Sequence, residues 1–224
     1  MEHRDRRAFL SLAGVTAALV ACREAASPSG GDDDDEVTAT EDLMREHGVI
    51  RRVLVVYREC ATRLRATPSA PVGDALQRAA ALMRKFGEDY HEKRLEETHI
   101  FPALAKTPVA ATAQTLAAQH QRGRELTEVI LKNASDPKNA ESLARTLDAF
   151  ARMYEEHAAI EDTIVFPAWK KTLSKKQLAE IGDRFEDIER EALGKDGFEG
   201  AVAQIAEIEK SLGIDLASMT APSA

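Results

Sequence analysis

From Glu41 onward apolar residues recur at helical spacing, and four long segments stand out at about 40–66, 72–104, 109–133 and 138–172. Turn-forming stretches separate them: Thr67-Pro68-Ser69-Ala70-Pro71, Lys106-Thr107-Pro108 and Ser135-Asp136-Pro137. The last of these places a cap and a first-turn proline at the fourth start. Connections this short force successive helices to run antiparallel, which predicts an all-α, up-down-up-down four-helix bundle. Two further helices, about 174–193 and 198–212, are joined by Gly194-Lys195-Asp196-Gly197 and are expected to pack outside it. Val and Ile nowhere alternate with polar residues over strand-length runs, so a sheet is not expected.

The start of the chain follows another pattern. After Arg6-Arg7, an apolar stretch runs from Ala8 to Ala21. A transmembrane helix needs about 20 such residues, so this reads as the core of a signal peptide, residues 1–21. The paired arginines resemble a twin-arginine export signal, and Leu19-Val20-Ala21-Cys22 resembles the lipobox of bacterial lipoproteins. The expected product is a periplasmic-side lipoprotein, anchored to the membrane at Cys22. Its tether, 22–39, carries the acidic run Asp32 to Glu36, which reads as a self-repelling spacer rather than a calcium loop. The bundle is then 40–172 and the C-terminal extension 173–224.

Charge and cysteine content narrow the function. Thirty Lys plus Arg against 38 Asp plus Glu gives a net charge of −8, which argues against a general nucleic-acid binder. Two cysteines cannot form a disulfide scaffold, and Cys60 reads as a buried helix thiol. Trp169, Tyr57 and Tyr154 read as packing, with a tyrosine near a metal able to donate a hydrogen bond to a bound ligand. Lys170-Lys171 and Glu189-Arg190-Glu191 read as solvated surface.

Histidines carry the chemistry. Apart from His3, they fall on all four long helices: His47, then His91 and His99, then His120, then His157. His47 shares a face with Leu43, Ile50 and Leu54, and His120 with Leu116, Thr127 and Leu131. At about 100° per residue, His157 lies with Phe150, Met153, Ile160, Glu161 and Ile164. An unpaired carboxylate on such a face is costly, so Glu161 needs a partner or a metal. Imidazoles and carboxylates converging inside a bundle suit iron or manganese.

An internal echo adds detail. Glu96-Glu97-Thr98-His99-Ile100-Phe101-Pro102 matches Glu161-Asp162-Thr163-Ile164-Val165-Phe166-Pro167, each first Glu standing five residues before its Phe. His157 precedes Glu161 by four, one helical turn. In the first copy that place is held by Glu92, and His91 stands five before Glu96. Either His91 swings in over an overwound or bulged turn, or Glu92 takes the place of a histidine, and both residues are candidate ligands. His99 is expected beyond the first ring of ligands.

Arg45-Glu46-His47, Tyr90-His91-Glu92-Lys93 with Glu96-Glu97 and Phe101-Pro102, Gln119-His120, and His157 to Glu161 with Phe166-Pro167 together resemble the hemerythrin-like, HHE cation-binding family, over roughly Glu41 to Lys171. The tail is similar to the extension of a bacterial branch of that family. The resemblance implies a non-haem di-iron centre with an oxo or hydroxo bridge. In it Glu96 and Glu161 are the bridging carboxylates, and His47, His91, His120 and His157 the terminal imidazoles. Oxygen-carrying hemerythrins place a second histidine four residues after the one on the third helix, where this chain has Arg124. The gap is open to Glu92, to water or to neither, and the guanidinium is expected to face Glu128 or leave the bundle. Fewer nitrogen ligands favour the ferric state. The expected function is binding of dioxygen, nitric oxide or iron for sensing, storage or protection. The alternatives are a di-iron oxidoreductase reducing peroxide, oxygen or nitric oxide, and a metal-free bundle. No added nucleophile, acid-base pair or electron-transfer module favours the enzyme.

Overall fold

The structure is a computed structural model that describes residues 37–215. The signal peptide, the twin-arginine pair, Cys22 and all but the last three residues of the tether lie outside the described residues.

Helix α1 (Ala39–Ala66) opens on a capping box. The Thr38 hydroxyl accepts from the Glu41 backbone N–H, and the Glu41 carboxylate accepts from that of Thr38. Its inward stripe contains Leu43, Ile50, Leu54, Tyr57 and Cys60, all buried. Cys60 is a free thiol whose burial pushes its pKa up to about 12. Helix α2 (73–104) starts as a regular α-helix (Gly73–Leu82), widens into a π-helix (Met83–Ile100) and closes with a short α-helical turn (Phe101–Leu104). Helix α3 (Ala110–Asn133) follows.

The Ser135-Asp136-Pro137 signal is used one step earlier than expected. The Asp136 carboxylate caps a 3-10 turn (Pro137–Asn139) by accepting from the Lys138 N–H, and that turn feeds helix α4 (140–170). Helix α4 is α-helical over Ala140–Ile160, π-helical over Glu161–Val165 and α-helical again over Phe166–Lys170. These four helices form the bundle, with α1 packed along α4, α4 beside α3, and α3 beside α2.

The C-terminal extension packs on the bundle. Helix α5 (Lys175–Leu193) is capped by Ser174 and Gln177, and helix α6 (Gly197–Ser211) returns after a turn in which Gly194 and Gly197 have φ of 84° and 41°. Both helices lie against α1 and α2. Phe185 stacks on Trp169, and Phe198 lies between Phe86 and the Arg45 guanidinium. Arg52 forms a two-pronged pair with Glu209 at 2.5 and 2.9 Å. Glu189 is not solvated surface: its carboxylate accepts from the Phe198 N–H at 2.6 Å and holds the turn between α5 and α6. Among the described residues no helix is long and apolar enough to cross a membrane.

Truncating Phe185 to Ala should cost about 3–5 kcal/mol in a denaturant melt, because its buried ring carries the dock of α5. A loss under about 0.5 kcal/mol, the scale of a surface change, would mean that the extension does not contribute to the core.

Candidate metal centre

The widened turns of α2 and α4 set the geometry of the polar core. In each, the Phe of the repeated segment donates its backbone N–H to the carbonyl five residues back: Phe101 to Glu96, and Phe166 to Glu161. These are i→i+5 bonds, and such bulges occur often at functional sites. The threonines at matching places in the two copies help, since Thr98 Oγ1 donates to the Lys93 carbonyl and Thr163 Oγ1 to that of Ala159.

A widened turn brings a residue five places away onto the same face. His91 therefore joins Glu96, with Nε2 at 3.3 Å from Oε1. Of the two ways His91 could reach inward, the bulged turn is the one found. The same bulge shifts the phase of α4 after Glu161. Ile164, expected inward, is 41% exposed, and Val165 is buried in its place.

Four imidazoles meet there in two pairs. His47 and His91 face each other Nε2 to Nε2 at 3.1 Å, and His120 and His157 do so at 3.0 Å. Glu96 and Glu161 lie between the pairs. One Glu96 oxygen approaches His91 and the other His120, each at 3.3 Å, while Glu161 Oε2 lies 3.0 Å from His157 and 3.4 Å from His47. Proximity here is not directed hydrogen bonding, because all four oxygens of Glu96 and Glu161 are buried without a hydrogen-bond partner.

Every imidazole is anchored through its other nitrogen. His47 Nδ1 bonds Asp162 at 2.7 Å, His91 Nδ1 bonds Glu46 at 2.5 Å, His120 Nδ1 bonds Glu97 at 3.0 Å and His157 Nδ1 bonds the Gln119 carbonyl oxygen at 2.9 Å. A carboxylate or an amide oxygen only accepts, so each Nδ1 carries the proton and each neutral ring turns a lone pair inward. Two lone pairs at about 3 Å repel unless a proton or a cation lies between them. Tyr90 donates to Glu46 at 2.5 Å, Arg51 pairs with Asp162, and Arg124 pairs with Glu97. Phe166 stacks on His47 and Phe101 on His120, both at 5.4 Å.

These contacts repeat in the two halves of the bundle. The residue before His47, Glu46, anchors His91, and the residue before His120, Gln119, anchors His157. The residue after Glu161, Asp162, anchors His47, and the residue after Glu96, Glu97, anchors His120. None of these four anchors was assigned a role from sequence. The signal that could have found them is their position, each directly adjacent to a candidate ligand.

Six of the seven candidate ligands thus come together: His47, His91, Glu96, His120, His157 and Glu161. Glu92 borders them and is held by other groups, accepting from Tyr154 Oη at 2.6 Å and Arg124 Nη2 at 3.1 Å. Arg124 neither faces Glu128 nor leaves the bundle. It folds inward because Glu92 and Glu97 offer two carboxylates there, while Glu128 pairs with Arg84. Tyr154 packs on Phe150 as expected and also carries that hydrogen bond. His99 lies outside the cluster, against Phe185. A cavity of about 10 Å³ opens among these groups, with Ile50, Ala158, Glu92 and Tyr154 lining it beside five of the six inward-facing candidates, all but His120.

The Hemerythrin HHE cation binding domain model matches residues 38–169, more than half of the chain. The chain belongs to this family. The sequence is also 41% identical over 223 residues to uncharacterized proteins of Mycobacterium bovis and of two Mycobacterium tuberculosis strains, covering 94% of this chain and 87% of each relative. No solved structure matches it. The hemerythrin domain so identified is an all-α bundle whose buried histidines and glutamates fit the cation binding of the family.

Charge in the hemerythrin domain is tightly balanced. Burial lowers His120, yet Glu92, Glu96 and Glu97 outweigh it and raise the ring to about 10. Burial works likewise against His91, where Glu96 and Glu46 win and hold the imidazole well above its ordinary value. Burial pushes the Glu96 carboxyl up, but the charge of His91 and the contact with His120 hold it well below the usual carboxylate range. Without metal, His91 and His120 therefore hold protons where a cation fits, and a bound metal must displace them.

Two outcomes follow from this geometry. His91→Ala should lose metal, since it removes an inward lone pair, whereas Glu92→Ala should retain it, as measured by metal analysis after dialysis. The reverse pattern would restore the regular-helix reading. The second outcome concerns pH. Raised histidines stabilise the metal-free fold fully below their ordinary 6.5, and lose that contribution as pH climbs toward the His120 value of about 10. The melting temperature of metal-free protein should fall from pH 7 to 10, and that of loaded protein should not. A metal-free melting temperature that rises across this range would contradict the protonated cluster.

Proposed function

We propose that this hemerythrin-family protein holds a di-iron centre and binds a small diatomic ligand, dioxygen or nitric oxide, at the cell envelope for sensing, storage or protection. The observation that carries the reading is the set of four inward Nε2 atoms, each fixed through Nδ1, converging on four carboxylate oxygens that no donor satisfies. Second anchors of this kind orient histidine ligands and raise their basicity. His47 and His91 would hold one iron, His120 and His157 the other, and Glu96 and Glu161 would bridge them. The iron pair would supply an open coordination position and reversible one-electron chemistry.

The protein's own part is positioning and exclusion. Asp162, Glu46, Glu97 and Gln119 fix the ring planes, and Phe101 and Phe166 cover two of the rings. The 10 Å³ cavity among these groups is far below the roughly 300 Å³ of a site for an organic substrate, which supports a small inorganic occupant.

Iron analysis of anaerobically reconstituted protein should find about two irons per chain, as in other carboxylate-bridged bundles. The optical spectrum of the reduced protein should change on adding dioxygen or nitric oxide. Protein that binds no iron, or iron-loaded protein whose spectrum ignores both gases, would overturn the reading.

For location, the proposal is export and acylation at Cys22. Cys22→Ser should move the protein from the membrane to the soluble fraction, because one lipidated residue is the proposed anchor. Wild-type protein that already fractionates as soluble would refute the anchor.

A further inference from the structure

The two halves of the metal centre share one pattern of anchors, and they differ most at one place beside the ligands. Four residues before Glu161 stands His157, an inward imidazole. Four residues before Glu96 stands Glu92, a buried carboxylate lining the same cavity. The arginines four residues after the first- and third-helix histidines differ accordingly. Arg51 pairs with the anchor Asp162 alone, whereas Arg124 pairs with the anchor Glu97 and also reaches Glu92 at 3.1 Å.

Tyr154 holds the other Glu92 oxygen at 2.6 Å. That reach depends on Gly123, where a Cβ atom would lie 2.0 Å from the Tyr154 hydroxyl oxygen, so no larger residue fits without displacing the ring. Both Glu92 oxygens are thus occupied by donors on α3 and α4. We infer that Arg124 and Tyr154 form a latch that keeps Glu92 out of the coordination shell of the His120–His157 metal and leaves one position there free for a small ligand. Glu92 is then a restrained spare ligand, and Arg124 is a positioning residue. With either donor removed, the carboxylate keeps one hydrogen bond and frees the other oxygen toward the cation, so it takes the free position and competes with the incoming ligand. Arg124 in this way does more than stand in for an absent histidine.

The inference rests on the metal-binding reading above, and the test separates the two. Wild type, Arg124→Leu, Tyr154→Phe and Arg124→Leu/Glu92→Gln are loaded with cobalt(II), whose visible bands weaken as coordination number rises, and with iron for azide titration. Arg124→Leu and Tyr154→Phe should keep their metal, show weaker cobalt bands and bind azide about tenfold less tightly or worse, since Glu92 fills the position most of the time. Adding Glu92→Gln should restore both readouts. Unchanged cobalt bands in metal-loaded Arg124→Leu overturn the latch even if azide weakens, because the lost positive charge alone would do that. Failure of the double variant to recover overturns it too. Should Arg124→Leu lose its metal through Glu97, Tyr154→Phe decides by the same readouts, since it leaves the charge and the Arg124–Glu97 pair in place. Wild-type protein that takes up no metal overturns the di-iron reading and the latch together, whereas metal uptake with unchanged bands in both single variants overturns the latch alone.

Discussion

Two carboxylates without a directed partner, Glu96 and Glu161, lie at the centre of a bundle that otherwise satisfies its buried polar groups with few exceptions. Stripping a carboxylate of water costs several kcal/mol, and removing one partner from such a cluster costs about 3–5 kcal/mol. The rest of the core is arranged around that constraint. Widened turns aim both glutamates inward, four rings surround them, and a second ring of acceptors fixes the rings. Proteins retain so costly an arrangement for a purpose other than stability, since well-packed apolar side chains would stabilise the bundle as well or better.

The internal echo explains how one chain builds this. Each half contributes a histidine preceded by an anchor, and then a glutamate followed by an anchor and, five residues on from the glutamate, by a phenylalanine that caps the opposite ring. Each anchor serves a ring on another helix, so the four helices cannot be assembled independently of the site. The asymmetry beside the ligands, Glu92 against His157, sits where the two halves must differ if one metal is to keep a position open.

Most of the fold was legible in the sequence because helical periodicity and turn residues are local signals. Helices expected over 109–133 and 174–193 are found at Ala110–Asn133 and Lys175–Leu193. The residues that meet in the central cluster were legible too, through inward histidines on four helices. Four features were not. Whether His91 or Glu92 turns inward depends on an i→i+5 bond that no residue type announces. Ile164 was misplaced for the same reason, since the bulge shifts every later residue on α4. The partner of Arg124 could not be read because Glu92, Glu97 and Glu128 all bracket a long side chain, and only packing decides among them. Glu189 was taken for surface because its acceptor role requires the return of α6.

The central claim is that the paired Nε2 atoms and the two unsatisfied carboxylates form a cation site that protons fill only as substitutes. Anaerobic titration of metal-free protein with iron(II), followed by melting temperature and released protons together, tests it most directly. The account predicts proton release and a rising melting temperature that both stop at about two equivalents, as expected for a carboxylate-bridged pair. Iron that binds without releasing protons, or that leaves the melting temperature unchanged, would contradict it.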